Sequence, residues 1–506
     1  MRPAHALRAA LAGAFLLAAG TAAAQRAAAP PHDGAQAAPP TGASIFTRTA
    51  DLSLAEAVAL MLRDNRNVRS SLLNRIVDDF ALRVAEDQFD PQFSFSATVS
   101  RSRPRRAPGD ATIASTNLGT WQPRVTLLLP YGTQLQASAG GSVTKVEGSG
   151  TVVDQRIDLS IVQPLLRGAG SDVTTASLEI SRINRRNQAL ALERTVSSAI
   201  VLAIQSYRTL MQTGEQVKIA EDSLRRARDL VEVNRQLVAA GRLAEVEIVQ
   251  SQASVARQEL SVLQARNSLD QARLDLLQIL AMDVQVGLRP TEQLTAERVR
   301  LDLPKALETA RANRTDYIQA KLLVDVAKLN LLLAEDGLRW ELNAVGSIST
   351  SASDRSVTEL LRRAGRTTPG TVIGLELRIP ISNLSDQFRA TSAKIGLRQQ
   401  ELALLELDQR IEIQVRNALR NIETSWQQLR LADQSVQLSE RKLDIERQRL
   451  RAGRSSNFQV VTFEDDLVRA RTDLLSARIG YLNALTAADD VMGTTLRTWG
   501  VRLEAL

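Results

Sequence analysis

The sequence predicts a helix-dominated fold with a β component, elongated and internally duplicated. Three observations predict it: the chain repeats itself, each repeat carries helical runs far longer than globular helices, and each also carries alternating segments of strand length. Leu301-Asp302-Leu303-Pro304-Lys305-Ala306-Leu307 repeats the pattern of Leu52-Ser53-Leu54-Ala55-Glu56-Ala57-Val58, an offset of 301 − 52 = 249 residues. Pro380 matches Pro164 at 380 − 164 = 216, and Ala452-Gly453-Arg454 matches Ala240-Gly241-Arg242 at 452 − 240 = 212. The first repeat thus holds 249 − 216 = 33 extra residues between its first strand and Pro164, enough for one hairpin.

The amino terminus sets the compartment. Arg2, His5 and Arg8 precede an apolar run from Ala9 to Ala19, too short to span a bilayer, and Ala22-Ala23-Ala24 offers a small-residue cleavage site. Residues 1–24 read as a signal peptide and 25–50, with their Ala and Pro content, as a disordered linker. The chain has no Cys, which leaves neither a disulfide framework nor a lipid-bearing mature terminus.

Composition removes most chemistry. Both histidines, His5 and His32, precede the folded part, there is no Cys, and no phosphate-binding GxxxxGK[ST] loop occurs. Carboxylate-only catalysis remains open on residue types, but aromatic residues are 3% of the chain, few for a sugar-binding cleft. No enzyme activity, cofactor or metal is expected. The formal net charge of +7 does not indicate nucleic acid, because along Glu221 to Arg228 and Glu440 to Arg451 bases alternate with acids, as on solvated helix faces; Arg103 to Arg106 is a short basic loop.

Residues 51–290 form the first repeat: a short helix, strands within 91–163, and a helical hairpin over 171–283 turning near 241. Residues 291–506 form the second: a short helix, strands within 341–381, and a hairpin over 385–492 turning near 453. Breakers are sparse: between Pro164 and Pro290 the only glycines beyond Gly168 and Gly170 are Gly214, Gly241 and Gly287. Val415, Ile422, Leu429, Val436, Leu443 and Leu450 fall seven apart, and Ala203, Leu210, Val217, Leu224, Val231 and Val238 repeat the series 212 residues earlier. Three residues after the first five of each series come Ser206, Thr213, Ala220, Ala227 and Asn234, and Ala418, Ser425, Ala432, Ser439 and Glu446, a mostly small row. Such a seam predicts supercoiled helices in close approach. About 70 residues of helix extend roughly 100 Å, beyond any compact domain.

The strand signals are Pro91 to Arg101, Thr126 to Leu129, Gln134 to Val143, Asp158 to Gln163 and Thr371 to Ile379. Roughly 10 alternating residues suit a tilted transmembrane strand. One chain supplies too few strands to close a barrel, so a spanning barrel needs several chains.

The duplicated opening helix (Leu52 to Asn65, Leu301 to Asn313), the strand ends Val162-Gln163-Pro164-Leu165 and Arg378-Ile379-Pro380-Ile381, and the tips at Gly241 and Gly453 together resemble the TolC-like outer-membrane efflux proteins, from about Leu52 to Val501. The resemblance implies a homotrimer: strands in one shared transmembrane β-barrel, helices in a periplasmic coiled-coil tunnel, short helices in a girdle. It implies an outer-membrane export duct serving a tripartite efflux or type I secretion system, with a periplasmic membrane-fusion adaptor, an inner-membrane pump and outer-membrane lipid as partners. Family protomers give four strands, so the 33 extra residues place strand count in question, in the barrel or outside it. The tips Gly241-Arg242-Leu243 and Gly453-Arg454-Ser455 resemble the adaptor-contact region. Acidic gate residues of the best-known members fall here on Gln459 and Thr462, and Glu247 with Glu245 would supply an acidic ring instead; the same residues suit a solvated helix surface. Glu464, Asp465 and Asp466 carry the same ambiguity. The alternative from another class is a periplasmic coiled-coil adaptor or scaffold with a small β domain.

Overall fold

The computed structural model describes residues 50–102, 115–148, 150–354 and 369–501. The signal peptide and linker readings and the Arg103 to Arg106 loop lie outside the described residues.

Each repeat opens on a short amphipathic helix. In the first, β1 (Ala50–Leu52) leads into α1 (Leu54–Asp64), whose start is fixed by a capping box: Ser53 accepts from the Glu56 amide and Glu56 reaches back to the Ser53 amide. Sequence reading expected one short helix before the strands. A second follows at once, α2 (Arg66–Asp87), because Asn65 leaves the helical region at ψ 126° and caps the new start through its side-chain oxygen.

Strands β2 (Gln92–Ser102), β3 (Thr116–Leu128), β4 (Gln134–Val146) and β5 (Gly150–Pro164) then run antiparallel. A single turn, α3 (Ser171–Thr174), leads into α4 (Ala176–Ala239), which pairs with α5 (Val246–Ile279). The first repeat ends on β6 (Leu288–Pro290), and the second contains α6 (Leu303–Asn313), α7 (Thr315–Asp336), β7 (Glu341–Asp354), β8 (Gly370–Arg378), α8 (Leu384–Arg451), α9 (Asn457–Met492) and the closing turn α10 (Thr495–Thr498). At 64 and 68 residues, α4 and α8 are rods of roughly 100 Å.

The partner column of each rod is built from two helices laid end to end. Antiparallel pairs Arg228–Glu259 and Arg266–Glu221 hold α5 along the distal part of α4, and Arg185–Asp79 holds α2 along its proximal part. At the splice, the Asn65 side-chain amide donates to the Ile279 carbonyl (2.9 Å), satisfying a last-turn acceptor of α5 while its oxygen caps α2. Arg314, 314 − 65 = 249 residues later, does the corresponding work, donating to the Val491 carbonyl (3.1 Å) at the end of α9 and pairing with Asp316 at the start of α7. One chain therefore presents four helical columns at each level.

The hydrophobic core lies in three clusters: one where β1, α1 and β6 pack on α4 and α5, one where α6 packs on α8 and α9, and one along the distal seam of α8 and α9. Tyr207 of α4 is fully buried and its hydroxyl donates to the Leu52 carbonyl (2.8 Å), tying the rod to β1, which itself pairs in parallel with β6. In the second repeat the buried Tyr481 of α9 donates to the Glu297 carbonyl (2.7 Å) and stacks at a tilt on Trp426, ring centres 5.2 Å apart. All six large seam residues from Val415 to Leu450 are buried, as are Ala220, Ala227 and Ala418. Gly214, Gly396 and Gly480 lie inside helices instead of ending them.

The sheet order is β2-β3-β4-β5-β7-β8, antiparallel throughout. The segment expected from Thr126 to Leu129 is the end of a 13-residue strand, since Pro123 and Gly119 interrupt its alternation without ending its pairing.

Replacing Asn65 with Ala removes a cap and a splice bond, with an expected cost of about 1–2 kcal/mol; Asn65→Asp keeps the cap and is expected to lose about half of that. Denaturant titration of the detergent-solubilised protein checks both values.

Candidate functional site at the hairpin ends

Both hairpins turn by the same device. Gly241 (φ +68°) and Gly453 (φ +72°) take the left-handed conformation, and the amides of Arg242 and Arg454 donate back to Leu237 and Arg449 (2.8 Å each). This six-to-one closure satisfies the last helical carbonyls and needs a residue without Cβ strain at the glycine. Arg242 and Arg454 are exposed; Leu243 is half-buried against the hydrophobic cluster around Leu443 and Leu450. Ser455 does not point freely from its tip, because its hydroxyl donates to the buried Glu446.

Within one chain, Glu245 is exposed at the start of α5 and caps nothing. Glu247 is half-buried, with one carboxylate oxygen inaccessible and without a hydrogen-bond partner among the described residues. Its carbonyl accepts from Asn457 (3.4 Å), so it faces the second hairpin. Gln459 accepts from Ser455 (3.1 Å), and Thr462 donates to its own helix at Phe458 (2.8 Å). These four residues do not form one cluster through hydrogen bonds.

The groups that join the hairpins are others. Asn234 of α4, fully buried, donates to Asn457 of α9 (3.0 Å). Deeper by two turns, Glu464 is buried and accepts from Arg226 of α4 (2.8 Å) and from Arg447 of α8, so one carboxylate clamps both hairpins. Arg471 of α9 adds a pair with Glu440 of α8 (2.6 Å) and reaches toward Asp222 of α4 (3.9 Å). Farther along the same contact, burial pushes the Arg208 guanidinium down to about 10, still cationic at neutral pH, while it donates to Asn483 and Thr486. Burial likewise raises the Asp465 carboxyl, so Glu464, Asp465 and Asp466 are not three equivalent solvated acids.

Reasoning from sequence found the acidic cluster but missed Arg226 and Arg447 as its partners. A signal existed for the polar contacts: Asn234 and Glu446 are the polar exceptions in the small-residue seam, and they occupy duplicated positions 212 residues apart. A polar group at such a position fixes register between helices at a cost in stability.

No family model and no curated protein matches the chain. Solved structures do. The chain is similar to CusC, described with transmembrane channel formation, at TM-score 0.66 and 16% identity over 88% of this chain and 96% of that one. It is similar to the Campylobacter jejuni CmeC outer membrane channel at 0.66 and 15%, over 90% of both chains. The open state of the Neisseria gonorrhoeae MtrE outer membrane channel matches at 0.63 and 15%, over 88% and 89%. The fold is the TolC-type fold that the sequence led us to expect.

Glu464→Gln leaves two guanidinium groups facing a neutral amide, and the expected cost is about 1–3 kcal/mol, discounted for the partial exposure of Arg447. Arg226→Met is expected to cost less in the Glu464→Gln background than alone, a coupling that a double-mutant cycle by denaturant titration measures.

Proposed function

We propose that three copies of this chain form an outer-membrane export duct and that it is not an enzyme: strands make a barrel in the membrane, and helices make a tunnel reaching into the periplasm. The observation that carries the reading is the match between the two open edges of one chain. Among the described residues β2 has no partner on its outer edge, and the helices leave an apolar stripe bare: Leu73, Val77, Phe80 and Val84 on α2, then Leu260 and Leu263 on α5. Among the described residues β8 likewise has no partner on its outer edge, and α8 bares Leu402, Leu405, Leu431 and Leu438. Two different apolar edges suit a head-to-tail contact between copies, which gives a ring when the rotation closes. An even number of strands per chain lets β8 of one copy run antiparallel to β2 of the next.

One face of the sheet is apolar and exposed: Phe93, Phe95, Leu159, Ile348, Ile373 and Leu375. The period of two and strands of 9 to 15 residues suit lipid contact in a closed barrel. Among the described residues no helix is long and apolar enough to cross a membrane.

Such a duct moves cargo without changing it. Among the described residues no group of three or more metal-ligating side chains occurs. Its hairpin ends open when α4 separates from α9, and Glu464 with its two arginines sets the cost of that step. A periplasmic membrane-fusion adaptor would seat at the exposed tips around Gly241 and Gly453, joining the duct to an inner-membrane pump in a tripartite efflux or type I secretion system.

Expressed with its signal peptide, the protein is expected in the outer-membrane fraction as a trimer that dissociates on heating. Leu431→Glu with Leu438→Glu should leave monomers, by mass in detergent. A soluble periplasmic monomer from the wild-type chain would sink the barrel and leave the coiled-coil scaffold.

A further inference from the structure

Among the described residues, the first repeat has two sheet strands more than the second. Matching Leu52 with Leu301 and Pro164 with Pro380 makes β2 the counterpart of β7 and β5 the counterpart of β8. Strands β3 and β4 have no counterpart, and they are the extra residues.

They do not fold away from the sheet. β3 pairs with β2 from Gln92↔Thr126 to Ser102↔Thr116, and β4 pairs with β5 from Gln134↔Val162 to Val146↔Gly150. The alternation of faces carries through both: Phe95 stands opposite Pro123, Val125 opposite Ala137, and Leu135 opposite Ile161, all on the apolar face. The opposite face runs Ser96, Gln122 and Thr120, then Gln136, Ser138 and Ser160. A one-residue slip would exchange these faces. Register is pinned by Trp121, whose ring lies where a Cβ on Gly141 would stand, a cross-strand cover that only glycine permits. At the helix end, the turn between β3 and β4 is fitted against the chain that leads into α4. Gly132 (φ +89°) has no room for a Cβ beside the Gly168 carbonyl, and Thr133 bonds Gln163.

We propose, resting on the three-chain duct above, that β3 and β4 are wall strands, so that three six-stranded sheets close an 18-stranded barrel with a wider mouth than twelve strands allow. With strands about 4.8 Å apart and tilted by about 40°, 18 strands give a circumference of about 113 Å and a backbone diameter of about 36 Å, against about 24 Å for twelve. Four helical columns per chain make a ring of twelve, whose circumference at 8–10 Å per helix is about 96–120 Å. The wider barrel continues that ring without narrowing. The small hydroxyls of the inner face keep the passage hydrated, which suits bulky hydrophilic cargo.

The absence of native Cys makes single cysteines clean reporters. In trimers reconstituted into bilayers, bimane on Leu135→Cys or Ala137→Cys is expected to be quenched by lipids brominated in their acyl chains, and a water-soluble thiol reagent to react with these positions about tenfold more slowly than with Gln136→Cys or Ser138→Cys. Cryo-electron microscopy of the same trimers should show a barrel about 36 Å across, and of a chain lacking Ser115–Glu147 one about 24 Å across. If both faces of β4 react alike while Leu159→Cys stays lipid-quenched in an intact trimer, the hairpin lies outside the wall and the wide barrel is overturned with the duct intact. If no trimer forms and Leu159→Cys is not quenched, the duct itself falls and the wide barrel with it.

Discussion

The structure depends on the close antiparallel approach of two helices within each repeat. A seam of large residues at seven-residue spacing packs beside a second row that is mostly Ala, Ser or Thr, and the small row lets the backbones come near over most of the length of α5 and α9. Helices of 64 and 68 residues cannot be stabilised by propensity alone. They persist because each buried turn repeats the same contact with a partner column. Where that column changes from one helix to another, the break is repaired at one residue per repeat, Asn65 or Arg314, which satisfies the end of one helix and caps or braces the start of the next.

Burial in one chain is incomplete by design. Buried apolar side chains lie along the seams and around the opening helices, while the stripes on α2 and α8 and one face of the sheet stay bare. Dissimilar apolar stripes on α2 and α8 and an apolar sheet face are surface that packing within one chain leaves uncovered. The polar pairs between α4 and α9 are of another kind. They lie between the two repeats of one chain, where Arg226, Glu464 and Arg447 form a contact that holds when complete and is costly when one member is lost.

Much of this was legible in the residues. The duplication, the long helices, the seam and the tip glycines follow from spacing alone, because heptads and strand alternation are local periodicities that survive in any context. The second helix of each repeat was not read from the sequence: the opening helix was expected to end at Asn65 and at Asn313, but neither Asn65 nor Arg314 was recognised as the start of another, although Asn65 is a capping residue. The strand from Thr116 was read short because Pro123 and Gly119 break its pattern, although its pairing with β2 runs unbroken through both.

By itself, the sequence determined a twice-repeated chain of long helices and alternating strands, since those properties rest on period. It also determined that one hairpin was extra. Only the tertiary structure decided where that hairpin goes, because strand register is set by partners distant in the chain, and the fit of Trp121 over Gly141 and of Gly132 against Gly168 exists only once they meet. The tertiary structure likewise decided which acid matters between the hairpins. Glu464, Asp465 and Asp466 are equivalent as letters, and become different when the turn of α9 aims one of them at two arginines from other helices.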